Sequence, residues 1–97
     1  MLLSKEVILT SRVVQSPGNL VSDMDGEKVM LNIENGKYYN LGELGGNIWG
    51  LMESEIKIDI LIANLLSVYE VEPNECEQQV LSFVNTLYKE GLVQIVE

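Results

Sequence analysis

The 97 residues include 15 acidic side chains, 6 basic ones and no histidine, for a formal net charge of -9. That balance excludes the usual nucleic-acid binder, which draws its non-specific affinity from Lys and Arg on phosphates, and it disfavours adsorption to an anionic membrane surface. The length fits one compact domain, and a 46% hydrophobic content with mean hydropathy +0.12 is enough for a core.

The first 18 residues read as an N-terminal extension, with the core running from residue 19 to 97. "MLLSKEVILTSR" has charges interrupting its apolar run, unlike a signal peptide, and no segment approaches the roughly 18 apolar residues that span a bilayer. The single cysteine, Cys76, excludes an intramolecular disulfide and suits a reducing compartment, so the expected location is cytoplasmic.

Two hairpin signals follow, Asp25-Gly26 and Asn35-Gly36, about one strand apart. For the second, a two-residue loop would pair Ile33 with Tyr38 and put the two apolar sets on opposite faces. A three-residue loop, Glu34-Asn35-Gly36, pairs Leu31 with Tyr39 and Val29 with Leu41. Val29, Leu31, Ile33, Tyr39 and Leu41 then share one face, and this register is the one expected. In the first hairpin Leu20 and Val21 compete for the inward position, which the pattern leaves open.

After Leu41 the period becomes helical. Leu44, Ile48, Leu51 and Met52 form one face with Trp49 beside it, and Gly42 is the expected N-cap. A second helix is expected from about Ile58 to Tyr69, its stripe made by Ile58, Leu61, Ile62, Leu65, Leu66 and Tyr69, with Ile60 pointing away. Asn74 and Glu77 form a capping-box-like start to the third helix after Pro73, and Lys89 and Gly91 suit its end. "LVQIV", Leu92 to Val96, reads as a short C-terminal strand. The fold class is therefore α+β: a three-stranded antiparallel meander, then three helices and a short C-terminal strand, an order compatible with a winged-helix-like arrangement.

The sequence offers little catalytic chemistry. Histidine, the commonest general base and metal ligand, is absent, and one cysteine makes neither a zinc site nor a redox pair. "GELGGNIWG" lacks the spacing of a nucleotide fingerprint, so Gly45 and Gly46 are read as allowing close helix–sheet packing. Asp23, Asp25 and Glu27 sit at a turn without calcium-loop spacing. The expectation is a protein that is not an enzyme and holds no cofactor or metal.

Two features stand out. Strand Lys37–Leu41 ends the meander, so one row of its backbone groups faces the sheet's edge, open for strand addition. The apolar arc of the third helix, centred on Val80 and including Cys76, Leu81, Phe83, Val84, Leu87 and Tyr88, is wider than one packing stripe. It fits a central helix touching several neighbours, or a helix that also floors a groove beside the edge strand.

These residues, in order, carry a family resemblance. Gly36, Tyr38, Tyr39, Leu41, Ile48 and Trp49, then Leu66, Tyr69 and Val71, then Val80, Phe83, Val84, Leu87, Gly91 and Leu92 resemble the pattern of the PqqD-like superfamily over roughly Met30 to Val93. Gly42, Lys57 and Gln79 depart from its usual Asn, Thr and Asp. Within the superfamily the chain is most similar to the discrete B1 proteins of lasso-peptide biosynthesis, with the PqqD proteins that serve a radical enzyme as the alternative.

The resemblance implies a winged-helix-like recognition element for ribosomally made, modified peptides (RiPPs). It implies that a precursor's leader peptide adds antiparallel to Lys37, Tyr38, Tyr39, Asn40 and Leu41 and meets a groove formed by Cys76, Gln79, Val80 and Phe83. Tyr39 is the position where a proline would interrupt that ladder. The implied partners are the leader peptide, a separate leader peptidase and a cyclase, with the protein itself a monomer. Two other readings are a winged-helix DNA-binding regulator, which the charge opposes, and a structural subunit that dimerises through its edge strand.

Overall fold

The computed structural model describes residues 6–96. Its elements are β1 (Arg12–Gln15), β2 (Asn19–Met24), β3 (Glu27–Asn32), β4 (Tyr38–Leu41), α1 (Gly42–Leu51), β5 (Ile56–Lys57), α2 (Ile58–Val68), α3 (Pro73–Lys89) and β6 (Val93–Val96). They form two three-stranded antiparallel sheets, ordered β2-β3-β4 and β5-β1-β6, with three helices. This is the expected α+β class, with the expected meander leading into the helices.

The first hairpin closes on Asp25-Gly26, both at positive φ (55° and 85°), the geometry of a two-residue turn. It pairs Val21 with Met30 and Leu20 with Leu31, so Val21 takes the inward side and Leu20 the outward side.

The second hairpin corrects the expected register. Met30 pairs with Tyr39 and Leu31 with Tyr38, one residue away from the Leu31–Tyr39 pairing read from the sequence. Met30 (0% exposed) and Asn32 (8%) therefore face the core, while Val29, Leu31 and Ile33 (61%) lie on the outer face. The cause is Asn32, which organises a longer loop. Its Oδ1 accepts from Asn35 N–H at 2.9 Å, its carbonyl accepts from Gly36 N–H at 2.8 Å, and its Nδ2 donates to Asn19 Oδ1 at 2.6 Å. Gly36 holds φ at 72°, and Asn35 Oδ1 takes Lys37 N–H at 2.8 Å. Side-chain bonds to loop amides thus outweigh the outward alternation of Val29, Leu31 and Ile33. Tyr39 and Leu41 do turn inward, as expected.

β1 and β5 were not foreseen. Four residues and two give too short a run for alternation to register. β6 pairs with β1, Val13 opposite Ile95, so the C-terminal strand closes a second sheet and leaves both edges of the first alone. The described part of the N-terminal stretch reaches into the core: Val7 (2%) and Val13 (0%) are buried. Asn85 of α3 fastens it, accepting from Val7 N–H at 2.7 Å and donating to its carbonyl at 3.1 Å.

The helices bury most of the expected stripes: Ile48, Trp49 and Met52; Ile58, Leu61, Ile62 and Leu65; Cys76, Val80, Val84 and Leu87; Leu51, Leu66 and Tyr69 are half-buried, and Leu44 is exposed at 37%. Ile60 is half exposed at 51%. Two caps differ from expectation. Leu41, not Gly42, is the N-cap of α1; Gly42 instead supplies the positive φ (70°) of the strand–helix joint, its N–H taken by Asn40 Oδ1 at 3.0 Å. Glu72, not Asn74, caps α3, its carboxylate accepting from Glu75 N–H at 2.9 Å with Pro73 in the first turn.

α1 crosses the sheet at Gly46. A Cβ there would lie 2.1 Å from Lys28 Cγ and 2.8 Å from its Cβ, atoms next to the strand backbone that have little room to yield. Gly46→Ala should therefore lower the unfolding free energy by about 1–3 kcal/mol in urea. Gly50, with open space around it in the same helix, gives the opposite sign: Gly50→Ala should stabilise by about 0.5–1 kcal/mol.

Candidate functional site

β4 is an edge strand, paired with β3 on one side only. Asn32 N–H donates to Lys37 carbonyl at 3.0 Å, which points Lys37 toward β3. In an antiparallel ladder successive residues alternate in the side to which both backbone groups point. Tyr39 accordingly shares the β3 side, and the N–H and C=O of Tyr38 and Asn40 face the open edge. This revises the residue at which proline tests the edge. Proline at Tyr39 would break the sheet's own ladder, whereas Tyr38 carries an outward amide.

The side chains of β4 divide in the same alternation. Tyr38 is 73% exposed on the outer face. Tyr39 is half-buried on the inner face, and its hydroxyl donates to Glu90 Oε1 at 3.1 Å. Lys37 Nζ lies 3.6 Å from that carboxylate oxygen. Asn40 is occupied locally, donating from Nδ2 to Glu27 Oε1 at 3.1 Å while its Oδ1 holds Gly42 N–H. Leu41 is buried at 8%.

α3 is the facing wall. Glu90, at its C-terminal cap, meets the start of β4, and Phe83, further back along the helix, meets the strand's end. The Phe83 ring and the Leu41 Cβ both lie against the position a Gly45 Cβ would occupy, at 3.0 and 3.4 Å. β4 and α3 thus run in opposite directions. Cys76, Gln79, Val80 and Phe83 fall at the i, i+3, i+4, i+7 spacing of one helical stripe.

Past the end of β4 the stripe opens into a cavity of about 220 Å³ lined by Glu43, Leu44, Leu65, Tyr69, Val71, Cys76, Gln79 and Val80. An apolar cavity of about 150 Å³ accepts a benzene molecule, so this one has room for one large side chain. Three of the four expected groove residues on α3 are brought together here. Phe83 stands outside, beside a shallow hollow shared with Gln78, Gln79, Ser82 and Thr86. Leu44, Leu65, Tyr69 and Val71 were not among the expected site residues. Tyr69 and Val71 belong to the ordered family pattern, which was their signal; Leu44 and Leu65 read simply as helix stripe, and Glu43 carried no signal at all. Tyr69 is fixed by Asn47, whose Nδ2 donates to its hydroxyl oxygen.

Cys76 is 7% exposed, and burial pushes its thiol pKa up. Among the described residues no group of three or more Cys, Asp or Glu is placed to hold a metal ion, and no helix is long and apolar enough to cross a membrane. The arrangement offers hydrogen-bonding backbone, apolar surface and a cavity.

Comparison with known proteins gives one family and two solved structures of the same fold. The model of the family described as coenzyme PQQ synthesis protein D (PqqD) matches residues 27–93, from β3 to the start of β6. TbiB1, solved in complex with the TbiA(beta) leader peptide, superposes with a TM-score of 0.74 at 23% identity over 84% of this chain and 94% of its own. A lasso peptide synthetase B1 complexed with the leader peptide gives 0.67 at 23% identity, covering 84% and 96%. Both likenesses are of fold. No curated protein matched the sequence.

Because its pKa is raised, Cys76 should stay a thiol through neutral pH and alkylate slowly. The iodoacetamide rate should rise only above the pH range in which an ordinary free thiol ionises. The linked stability has a matching sign. An acid whose folded pKa lies above its unfolded one costs nothing at neutral pH and erodes stability as the pH climbs past the unfolded value, checked by urea midpoints at pH 7 and above.

Proposed function

The chain belongs to the PqqD family, and from that membership and the geometry of β4 and α3 we propose that it is a non-catalytic binding module for the leader of a ribosomally made precursor peptide in lasso-peptide maturation. The observation that carries the reading is the open edge of β4, its Tyr38 and Asn40 backbone groups unpaired by β3 and set beside an uncharged stripe of α3 that ends in a cavity. The leader-bound state of the two B1 proteins that share the fold supports it.

The leader adds as an antiparallel strand to β4. Because β4 runs toward the cavity, an antiparallel partner has its N-terminal part at the cavity and its C-terminal part at the Lys37–Glu90 end. The ladder supplies affinity at about 0.5–1.5 kcal/mol net for each backbone bond, and the side chains entering the groove supply selectivity. The protein acts as a monomer in the cytoplasm, a single domain that hands its bound precursor to a separate leader peptidase and then to a cyclase. The net charge of -9 favours encounter with a basic leader.

The test uses the labelled leader segment of the precursor encoded beside this protein, followed by fluorescence anisotropy. Binding should be micromolar or tighter. Tyr38→Ala should retain it within about threefold, whereas Tyr38→Pro, which removes the outward N–H and leaves a peptide carbonyl without its donor, should weaken it about tenfold. Equal affinity for the two variants contradicts strand addition at β4, and absence of micromolar binding to the unaltered protein contradicts the function.

A further inference from the structure

Charge is distributed unevenly along the groove. On α3 the groove-facing Gln79, Phe83 and Thr86 carry none, and at the far end Lys37 and Glu90 neutralise one another at 3.6 Å. Arg12, Lys28 and Lys57 are each engaged by acids elsewhere: Glu55 at 4.0 Å, Asp23 at 2.7 Å and Asp59 at 3.8 Å. Glu43 differs. It is exposed, stands in the first turn of α1 and lines the cavity, and among the described residues no cation or hydrogen-bond donor engages its carboxylate. Its cavity neighbours Leu44, Tyr69, Val71 and Cys76 offer an apolar wall, with Gln79 neutral beside them.

We propose that Glu43 is a specificity-determining residue that selects peptides carrying a Lys or Arg two residues from the large apolar side chain that enters the cavity, on the same face of the added strand. This rests on the peptide-binding reading and adds to it the charge of the ligand at one position. Once a peptide covers the cavity mouth, a carboxylate at the rim is partly shielded from water, so a cation held against it is worth more than a freely exposed pair. The ligand's apolar group fills the cavity while its ammonium or guanidinium remains at the solvated mouth, the division of labour that long cationic side chains adopt on apolar surfaces. The overall negative charge speeds encounter with any basic peptide, whereas Glu43 fixes where along the peptide the basic residue must lie.

The probe is a displayed library of random dodecapeptides, panned against the unaltered protein, Glu43→Gln, Glu43→Lys and Glu53→Lys. Glu53 is an exposed acid just beyond the opposite end of α1, so Glu53→Lys makes the same change in net charge away from the cavity. The unaltered protein and Glu53→Lys should enrich peptides with Lys or Arg two residues from a large apolar residue. Glu43→Gln and Glu43→Lys should keep the apolar preference and lose the basic one. A synthetic peptide of the enriched class should bind about fivefold more weakly to Glu43→Gln and about 10- to 30-fold more weakly to Glu43→Lys. Enriched peptides without a positional basic preference, or a preference that survives Glu43→Lys, overturn the assignment and leave the binding function standing. If no peptides are enriched, or enriched peptides bind Tyr38→Pro as well as Tyr38→Ala, the binding reading itself fails, and the Glu43 assignment with it.

Discussion

The pairing of Met30 with Tyr39 governs the rest of the site. A slip of one residue made by β4 would turn Tyr39 and Leu41 out of the core and move the Tyr38 and Asn40 amides from the open edge to the β3 side, whereas the same slip made by β3 would turn Met30 and Asn32 out instead. The register is held by Asn32, whose side chain ties the loop to β2 through Asn19 and to Asn35 within the turn. A buried amide with all its partners in place is a strong specifier of one geometry, because any alternative leaves it unsatisfied away from water. The apolar content of β3 alone does not decide the register, since both of its faces carry apolar side chains.

α3 is the other fixed wall, and it is held from several directions. Val84 and Leu87 are buried in the common core, α2 and β6 pack against the helix, and Asn85 binds the backbone of Val7 in both directions. With Cys76, Val80, Val84 and Leu87 anchored in the core, Gln79 and Phe83 at the flank border the groove, and the edges of Cys76 and Val80 are reached only through the cavity. Gly45 and Gly46 let α1 settle against Phe83 and Lys28, which brings the start of α1, and with it Glu43 and Leu44, to the cavity mouth. The wide apolar arc of α3 in the sequence thus has both meanings: part of it is core and part lines the groove.

Legibility in the sequence followed the length and punctuation of each element. The helices announced themselves through stripes repeated over two or more turns, and Asp25-Gly26 and Gly91 marked their turns because each requires positive φ. The edge position of β4 also followed from chain order. The register was misread because Val29, Leu31 and Ile33 look like an inward face and nothing in a hydrophobic pattern weighs the side-chain bonds of Asn32. β1 and β5 escaped because pairing between residues far apart in the chain leaves no local period. Among the residues lining the cavity, Cys76, Gln79 and Val80 could be named from the helical stripe and the family resemblance. The opposing wall from α1, α2 and the segment after it depends on tertiary placement, which spacing does not encode.

The proposed binding through a backbone edge would account for how little recognisable chemistry the chain carries: main-chain amides need no special side chain, only a strand held open beside a fixed wall. The most direct measurement is residue-resolved amide hydrogen exchange by NMR, without peptide and with the leader at saturation. The account predicts that Tyr38 and Asn40 amides exchange fast in the free protein and are strongly protected in the complex, while Tyr39 is protected in both. Protection of Tyr38 and Asn40 before peptide is added, or unchanged fast exchange at saturation, would contradict it.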